Sequence, residues 1–159
     1  MRILTTFATA AAAIAAAGAI AATGAAAANA ADADQPGGLV EDFSYPNADE
    51  ILAQHNVKLK SGDGNILFVD CAVPGDVIKV ESYDHTGEIC FQLRGTHGYL
   101  SLEIARAVFV YSENKPVEAT VVLAGETEPE APVEVAPNEW TPIGEAANLP
   151  SATLLEIRA

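Results

Sequence analysis

Basic residues, tryptophan and cysteine are all scarce in this 159-residue chain. Eight lysines and arginines stand against 22 aspartates and glutamates, which gives a formal net charge of −14 at pH 7. This excess of negative charge argues against nucleic-acid binding, because neutralising phosphates requires a basic surface. Two cysteines are too few for a four-thiolate zinc site or for a scaffold of several disulfides.

The composition is otherwise that of a folded protein. Charged residues make up 19% of the chain and hydrophobic residues make up 50%. A chain with this balance can bury enough apolar surface to fold, so general disorder is excluded. The length allows one domain and little more.

The N-terminus has the pattern of a secretory signal peptide. Arg2 is followed by an apolar stretch rich in alanine, which closes on the small-residue site Ala28-Asn29-Ala30. This predicts a signal peptide over residues 1–30, and the small side chains favour it over the alternative of a transmembrane anchor. Residues 31–42 are acidic and contain Pro-Gly-Gly, which is typical of a flexible leader. Residues 43–159 are therefore the predicted folded domain.

Export determines what we expect of the two cysteines. An oxidising compartment and an even count favour a disulfide between Cys71 and Cys90. A reactive or metal-binding thiol pair is the alternative, but neither cysteine has a histidine at a metal-ligand spacing. No second apolar run approaches membrane-spanning length, so we expect no membrane contact after signal cleavage. We expect the mature protein to be extracellular and monomeric.

Hydrophobic periodicity predicts a mainly β domain with one short N-terminal helix. The helix lies within residues 45–56, where Asn47 is the expected N-cap and Asn56 the expected left-handed stop. From Val57 onward, short apolar runs alternate with turn residues. The predicted strands are 57–60, 66–71, 77–83, 88–94, 99–104, 108–111, 117–124, 133–136 and 153–158. Such a series favours an antiparallel β-sandwich or an open barrel.

Two neighbouring runs show strict alternation. In 88–94 the side chains of Ile89, Phe91 and Leu93 share one face, and in 99–104 every second residue is again hydrophobic. A tight turn between the runs would make them a hairpin with one polar face. The disulfide would leave from this polar face and hold another segment of the chain against it. That face is the predicted binding surface, and its residues are Gln92, Arg94, Tyr99, Ser101 and Glu103.

Motifs for catalysis are absent from the sequence. Gly-x-Ser-x-Gly, Ser-x-x-Lys and His-Glu-x-x-His do not occur. The histidines His55, His85 and His97 are far apart in sequence, so we interpret them as unrelated. We therefore expect no catalytic residue, no metal site, no cofactor and no enzymatic activity. A small hydrolase remains the last alternative, since paired carboxylates are defined only in space.

Binding functions fit this sequence better than catalysis does. Glycan recognition needs exposed aromatic rings, for which the candidates are Trp140, Tyr83, Tyr99 and Tyr111. We favour a core position for Trp140, because tryptophan is mostly buried, although it also joins the candidate binding residues. The alternative partner is a protein, bound as in a protease inhibitor by a loop such as 94–98 or 113–116.

Four segments of the chain carry a resemblance to a known group of proteins. They are residues 42–59, 62–66, 139–145 and 152–158. Together with the central cysteine pair, they resemble a group of small secreted actinobacterial proteins without an established activity. The resemblance covers nearly the whole predicted mature chain, residues 31–159. It implies secretion and a single β-rich domain, and it assigns no catalytic residue.

Overall fold

The computed structural model describes residues 43–159, so the predicted signal peptide and leader lie outside the described residues. Nine strands, one α-helix and one short 3₁₀ helix follow one another in this part of the chain. Their bounds are α1 Ala48–His55, β1 Lys58–Gly62, β2 Ile66–Val69, β3 Val77–Ser82, β4 Ile89–Leu93, β5 Tyr99–Ser112, β6 Val117–Leu123, β7 Val133–Val135, β8 Glu139–Pro142, the 3₁₀ helix Gly144–Ala147 and β9 Ala152–Arg158. No helix in residues 43–159 is long and apolar enough to cross a membrane.

The strands form one open antiparallel sheet, which confirms the mainly β prediction. The strand order is β2-β4-β3-β5-β9-β6-β7, and β1 and β8 each pair with β5 beside this path. Side chains from both ends of the order, including Phe91 of β4 and Val121 of β6, belong to one hydrophobic core. The described residues make up one compact unit.

Strand β5 organises the sheet, because its two halves have different neighbours. Its first half lies between β1 and β9, and its second half lies between β3 and β8. The register shifts between Ile104 and Ala107, where Arg106 has a positive φ of 47°. A bulge of this kind bends a strand without ending it. The prediction of two separate strands, 99–104 and 108–111, was therefore wrong.

The alternation of buried and exposed positions agrees with the sequence pattern. Leu100, Leu102 and Ile104 of β5 are buried. Ile89, Phe91 and Leu93, which alternate along β4, are buried as well. The side chains of Tyr99, Ser101 and Glu103 are on the outer face and partly exposed.

The predicted hairpin between β4 and β5 does not form. Strand β4 lies between β2 and β3, and none of its residues pairs with β5. The five-residue connection 94–98 has a length suited to a hairpin, but β5 finds its partners in β1 and β9 instead. Pairing follows from which strands bury their apolar faces together, and a short loop does not determine that.

Helix α1 begins and ends close to the predicted residues. Asn56 adopts the left-handed conformation and donates its backbone N–H to the Leu52 carbonyl at 2.9 Å, which confirms the predicted stop. Asn47 is the N-cap residue, as predicted, but its φ is positive and its side chain makes no capping hydrogen bond. Ala48 and Ile51 pack against the core.

Candidate functional site

The predicted disulfide joins Cys71 to Cys90, with Cα atoms 5.2 Å apart. Cys90 lies on the outer face of β4, and Cys71 lies in the loop that follows β2. The bridge therefore holds residues 70–76 against the outer face of the sheet. Cys90 is fully buried for this reason, although its position in the alternation is an outward one.

The residues predicted as one binding face lie in three separate places. Tyr99, Ser101 and Glu103 remain together on the first half of β5. The Arg158 guanidinium lies 4.6 Å from the centre of the Tyr99 ring. Glu103 accepts hydrogen bonds from Lys58 and Lys60, each at 2.6 Å, and these bonds lower the pKa of its carboxyl group. These outward groups are thus largely engaged by neighbouring strands.

The two predicted face residues on β4 and its following loop separate from this group. Gln92 donates a hydrogen bond to the Pro74 carbonyl at 3.1 Å, so it supports the loop held by the disulfide. Arg94 is exposed at the start of the connection to β5. The structure therefore places neither residue beside Tyr99, because the hairpin that would have joined them is absent.

Trp140 lies on the surface, so the preference for a core position was wrong. It occupies β8, and 36% of its surface is exposed. Its ring contacts Tyr111 at a centroid distance of 5.2 Å and meets Phe109 edge-on at 6.3 Å. Tyr99 begins β5, whereas Tyr111 is its penultimate residue, so the two tyrosines are at opposite ends of a 14-residue strand.

A cross-strand row connects Trp140 to the disulfide. Trp140 pairs directly with Tyr111, Tyr111 with Lys79, and Lys79 with Cys90. Residues directly opposite each other in antiparallel strands project to the same side of the sheet. The row therefore places a tryptophan, a tyrosine and a lysine side by side on the outer face.

These side chains form the floor of a groove with a volume of about 370 Å³. We call it the aromatic groove; its floor is Lys79, Tyr111 and Trp140, and Cys71 and residues 73–75 line one wall. Gly75 has a φ of 126°, a backbone conformation that a side chain would strain. The disulfide, the Gln92 hydrogen bond and this glycine together fix the path of the wall.

The charged groups of the aromatic groove are Lys79, Glu88 and Glu113. The Lys79 ammonium is 3.0 Å from a Glu88 carboxylate oxygen and 5.9 Å from the centre of the Tyr111 ring. Glu113 is half-buried, and its carboxylate has no salt-bridge partner within residues 43–159. Sequence reasoning had named Tyr111 and Trp140 but missed these three residues. The alternation in β3 was the available signal for Lys79, because Ile78 and Val80 on either side of it are apolar and point to the core.

Metal-ligating side chains come together at one point in residues 43–159. Ligand atoms of Cys71, Glu88 and Cys90 lie within 4.8 Å of one another, but both sulfurs are joined in the disulfide and so are not thiolate ligands. His55 and His85, interpreted as unrelated, line one pocket of about 380 Å³. Their spacing gave no signal of this.

A larger groove, of about 660 Å³, lies beside the end strand β7. Its lining consists mainly of small apolar residues such as Pro116, Ala136 and Pro137, and it contains no aromatic ring. Its one basic side chain, Arg158, is paired with Glu156. The aromatic groove offers the better combination of stacking surface and polar groups for orienting a ligand.

Comparison of the chain with protein-family models and with curated proteins finds no match.

Proposed function

We propose that this protein is a secreted, non-enzymatic interaction domain that binds glycans in the aromatic groove. The observation that carries the proposal is the in-register row of Lys79, Tyr111 and Trp140 on the outer face of the sheet. Flat apolar rings suit the C–H faces of sugars, and polar side chains beside the rings hydrogen-bond to hydroxyl groups.

The rigidity of the aromatic groove supports a binding role. Its floor belongs to three hydrogen-bonded strands, and its wall is held by a disulfide. A site that is already in its binding conformation loses little conformational entropy when the ligand arrives. The partial exposure of Trp140 leaves ring surface available to a sugar.

Extracellular location rests on two features of the chain. The sequence of residues 1–30 has the pattern of a signal peptide. The chain also has a disulfide, and disulfides form and persist in oxidising compartments. Outside the cell, the glycans of the producing cell's surface and of its surroundings are abundant ligands for such a protein. The large excess of acidic over basic residues keeps such a domain dispersed in solution.

The inhibitor alternative has less support in the loops. Lys115 would have to enter a protease pocket, but its ammonium is 2.7 Å from an Asp76 carboxylate oxygen. Asn114 also donates a hydrogen bond to Asp76, at 2.8 Å. The 113–116 loop is thus tied to the body of the protein through its own basic side chain, Lys115.

The test is retention of the oxidised protein on insoluble polysaccharides, including chitin, cellulose and isolated cell wall. Wild type, Trp140→Ala, Tyr111→Ala and Tyr99→Ala are compared, with circular dichroism to verify folding. Tyr99→Ala is the matched control, since it removes a partly exposed aromatic ring at the far end of β5. We expect retention of wild type and Tyr99→Ala and at least a tenfold loss for the two groove variants.

Two results would overturn the proposal. One is that no polysaccharide retains the wild-type protein, while a discrete protein is captured from culture supernatant, which would favour the inhibitor-like alternative. The other is that folded Trp140→Ala and Tyr111→Ala are retained as well as wild type.

A further inference from the structure

We infer that the preferred ligand of the aromatic groove is a cationic glycan, an oligosaccharide of hexosamines with free amino groups, and that Glu113 binds its ammonium. This inference rests on the proposed function and specifies its ligand class. The observations behind it are the unequal pairing of the charges in the groove and the position of Glu113 beside the aromatic floor.

The groove carries a net negative charge in the described structure. Its one basic side chain, Lys79, is neutralised by Glu88 at 3.0 Å. Lys115, the nearest lysine along the chain from Glu113, is engaged by Asp76 at 2.7 Å. Glu113 is the remaining charged group and has no salt-bridge partner in residues 43–159. A half-buried carboxylate without a cationic partner is a favourable position for an ammonium group of a ligand.

The backbone places Glu113 on the ligand side of the floor. Its N–H donates to the Val77 carbonyl at 3.0 Å, which continues the β3–β5 ladder by one residue beyond Ser112. Glu113 directly follows the last residue of β5, and it lines the aromatic groove together with Tyr111.

Charge also sets which glycans the groove disfavours. Uronic acids and phosphorylated sugars would bring an anion close to Glu113, on a chain with a formal charge of −14. Desolvating like charges at short range opposes binding. An uncharged oligosaccharide can stack on Tyr111 and Trp140 but leaves the Glu113 carboxylate without a partner. A glycan with free amines satisfies both requirements.

The test is isothermal titration calorimetry with three oligosaccharides of equal length. They are a fully acetylated glucosamine oligomer, its deacetylated counterpart and an oligogalacturonate, titrated at about pH 5.5, where ordinary carboxylates and amines are charged. We expect the deacetylated oligomer to bind about tenfold more tightly than the acetylated one, as for a charge-assisted hydrogen bond. The oligogalacturonate should bind weakest.

Variants separate a local contact from attraction by the whole chain. Glu113→Gln should reduce the preference for the deacetylated oligomer to less than twofold, because the affinity for that oligomer falls. Glu139→Gln is the matched control, because this exposed residue removes the same charge without lining the groove. It should leave the preference intact.

The outcomes distinguish this inference from the function on which it rests. Equal affinity for the acetylated and deacetylated oligomers would overturn the inference and leave glycan binding standing. A preference that persists in Glu113→Gln would also overturn it, because the attraction would then come from the overall charge. Absence of binding to all three oligomers, with no retention on any polysaccharide, would overturn both.

Discussion

Tyr111 and Trp140 lie directly opposite each other on β5 and β8, and their ring centroids are 5.2 Å apart. This pair exists because β5 continues past its bulge to become a partner of β3 and β8. The same continuation aligns Lys79 with Tyr111. The floor of the aromatic groove therefore forms because β5 does not end at its bulge. The disulfide then holds the loop that lines one wall of the groove.

The exposure of Trp140 predicts how its fluorescence responds to a quencher. It is the one tryptophan of the chain, so the emission reports on this residue alone. Because 36% of its surface is exposed, acrylamide should quench the native protein appreciably, at a rate within threefold of that for the denatured chain. A native protein that resists quenching would mean that Trp140 is buried after all.

Stability should depend on the core far more than on most of the surface. Phe91 is fully buried and contacts Phe68 edge-on at 6.0 Å. Phe91→Ala should lower the free energy of unfolding by about 3–5 kcal/mol, as for other large aromatic side chains in protein cores. Tyr83→Ala, at a residue with 59% of its surface exposed, should cost under about 1 kcal/mol. Urea denaturation compares the two, and similar losses would contradict the assigned core.

Much of this architecture could be predicted from sequence, and the pairing could not. The alternation at Leu100, Leu102 and Ile104 identified the buried face because each side chain carries its own hydrophobic signal. The cysteine pairing also followed, since only two cysteines exist. The neighbours of β5 depend on which strands bury their faces together across the chain, and no local pattern contains that information.

Two local irregularities explain the other differences. The bulge at Arg106 interrupted the alternation, so one strand was interpreted as two. Strand β8 was missed because it is four residues long, ends in Pro142 and follows Pro137-Asn138. Since the aromatic groove is made where β8 meets β5, the site could not be assembled from sequence although Tyr111 and Trp140 were both named as candidates.

Removal of the disulfide should affect stability and binding together. The bridge joins cysteines 19 positions apart, and closing a loop of this size stabilises the folded state by about 3 kcal/mol. The double variant Cys71→Ala/Cys90→Ala should therefore unfold at lower urea concentration. Where it remains folded, its mobile wall should weaken glycan retention by about tenfold. Unchanged retention would show that glycan binding does not depend on the wall that the disulfide holds.

Arg106 offers a test of the backbone at the bulge. Its φ is 47°, and its guanidinium pairs with Asp84 at 3.3 Å and with Glu145 at 3.1 Å. Arg106→Ala and Arg106→Gly both remove these contacts, but glycine adopts a positive φ without steric cost. Arg106→Gly should therefore be more stable than Arg106→Ala by about 1 kcal/mol in chemical denaturation. The reverse order would contradict the assigned conformation.

Glu103 should make a pH-dependent contribution to stability. Hydrogen bonds from Lys58 and Lys60 lower the pKa of Glu103 in the folded protein. A carboxyl group whose pKa is lowered by folding stabilises the native state above its unfolded pKa of about 4.3, and this contribution disappears as pH falls through the folded pKa. At pH 7, wild type should exceed Glu103→Gln by up to about 1 kcal/mol.

The measurement for Glu103 is thermal unfolding of wild type and variant between neutral and acidic pH. The difference between them should shrink below about pH 4 and vanish once Glu103 is protonated in the folded state. Glu139→Gln is the control, since the Glu139 carboxylate has no salt bridge in the described chain and should give no stabilising difference at pH 7. A constant difference for Glu103→Gln at all pH values would refute the ion-pair explanation.

The most direct test of glycan binding in the aromatic groove is the emission of Trp140 during titration with glucosamine oligosaccharides. A sugar stacked on the ring should displace water, shift the emission to shorter wavelength and protect the residue from acrylamide, in a saturable manner. The change should be lost in Tyr111→Ala and retained in Tyr99→Ala. If oligosaccharides bind the protein by calorimetry without altering the emission or quenching of Trp140, the ligand lies elsewhere and the proposed site is wrong.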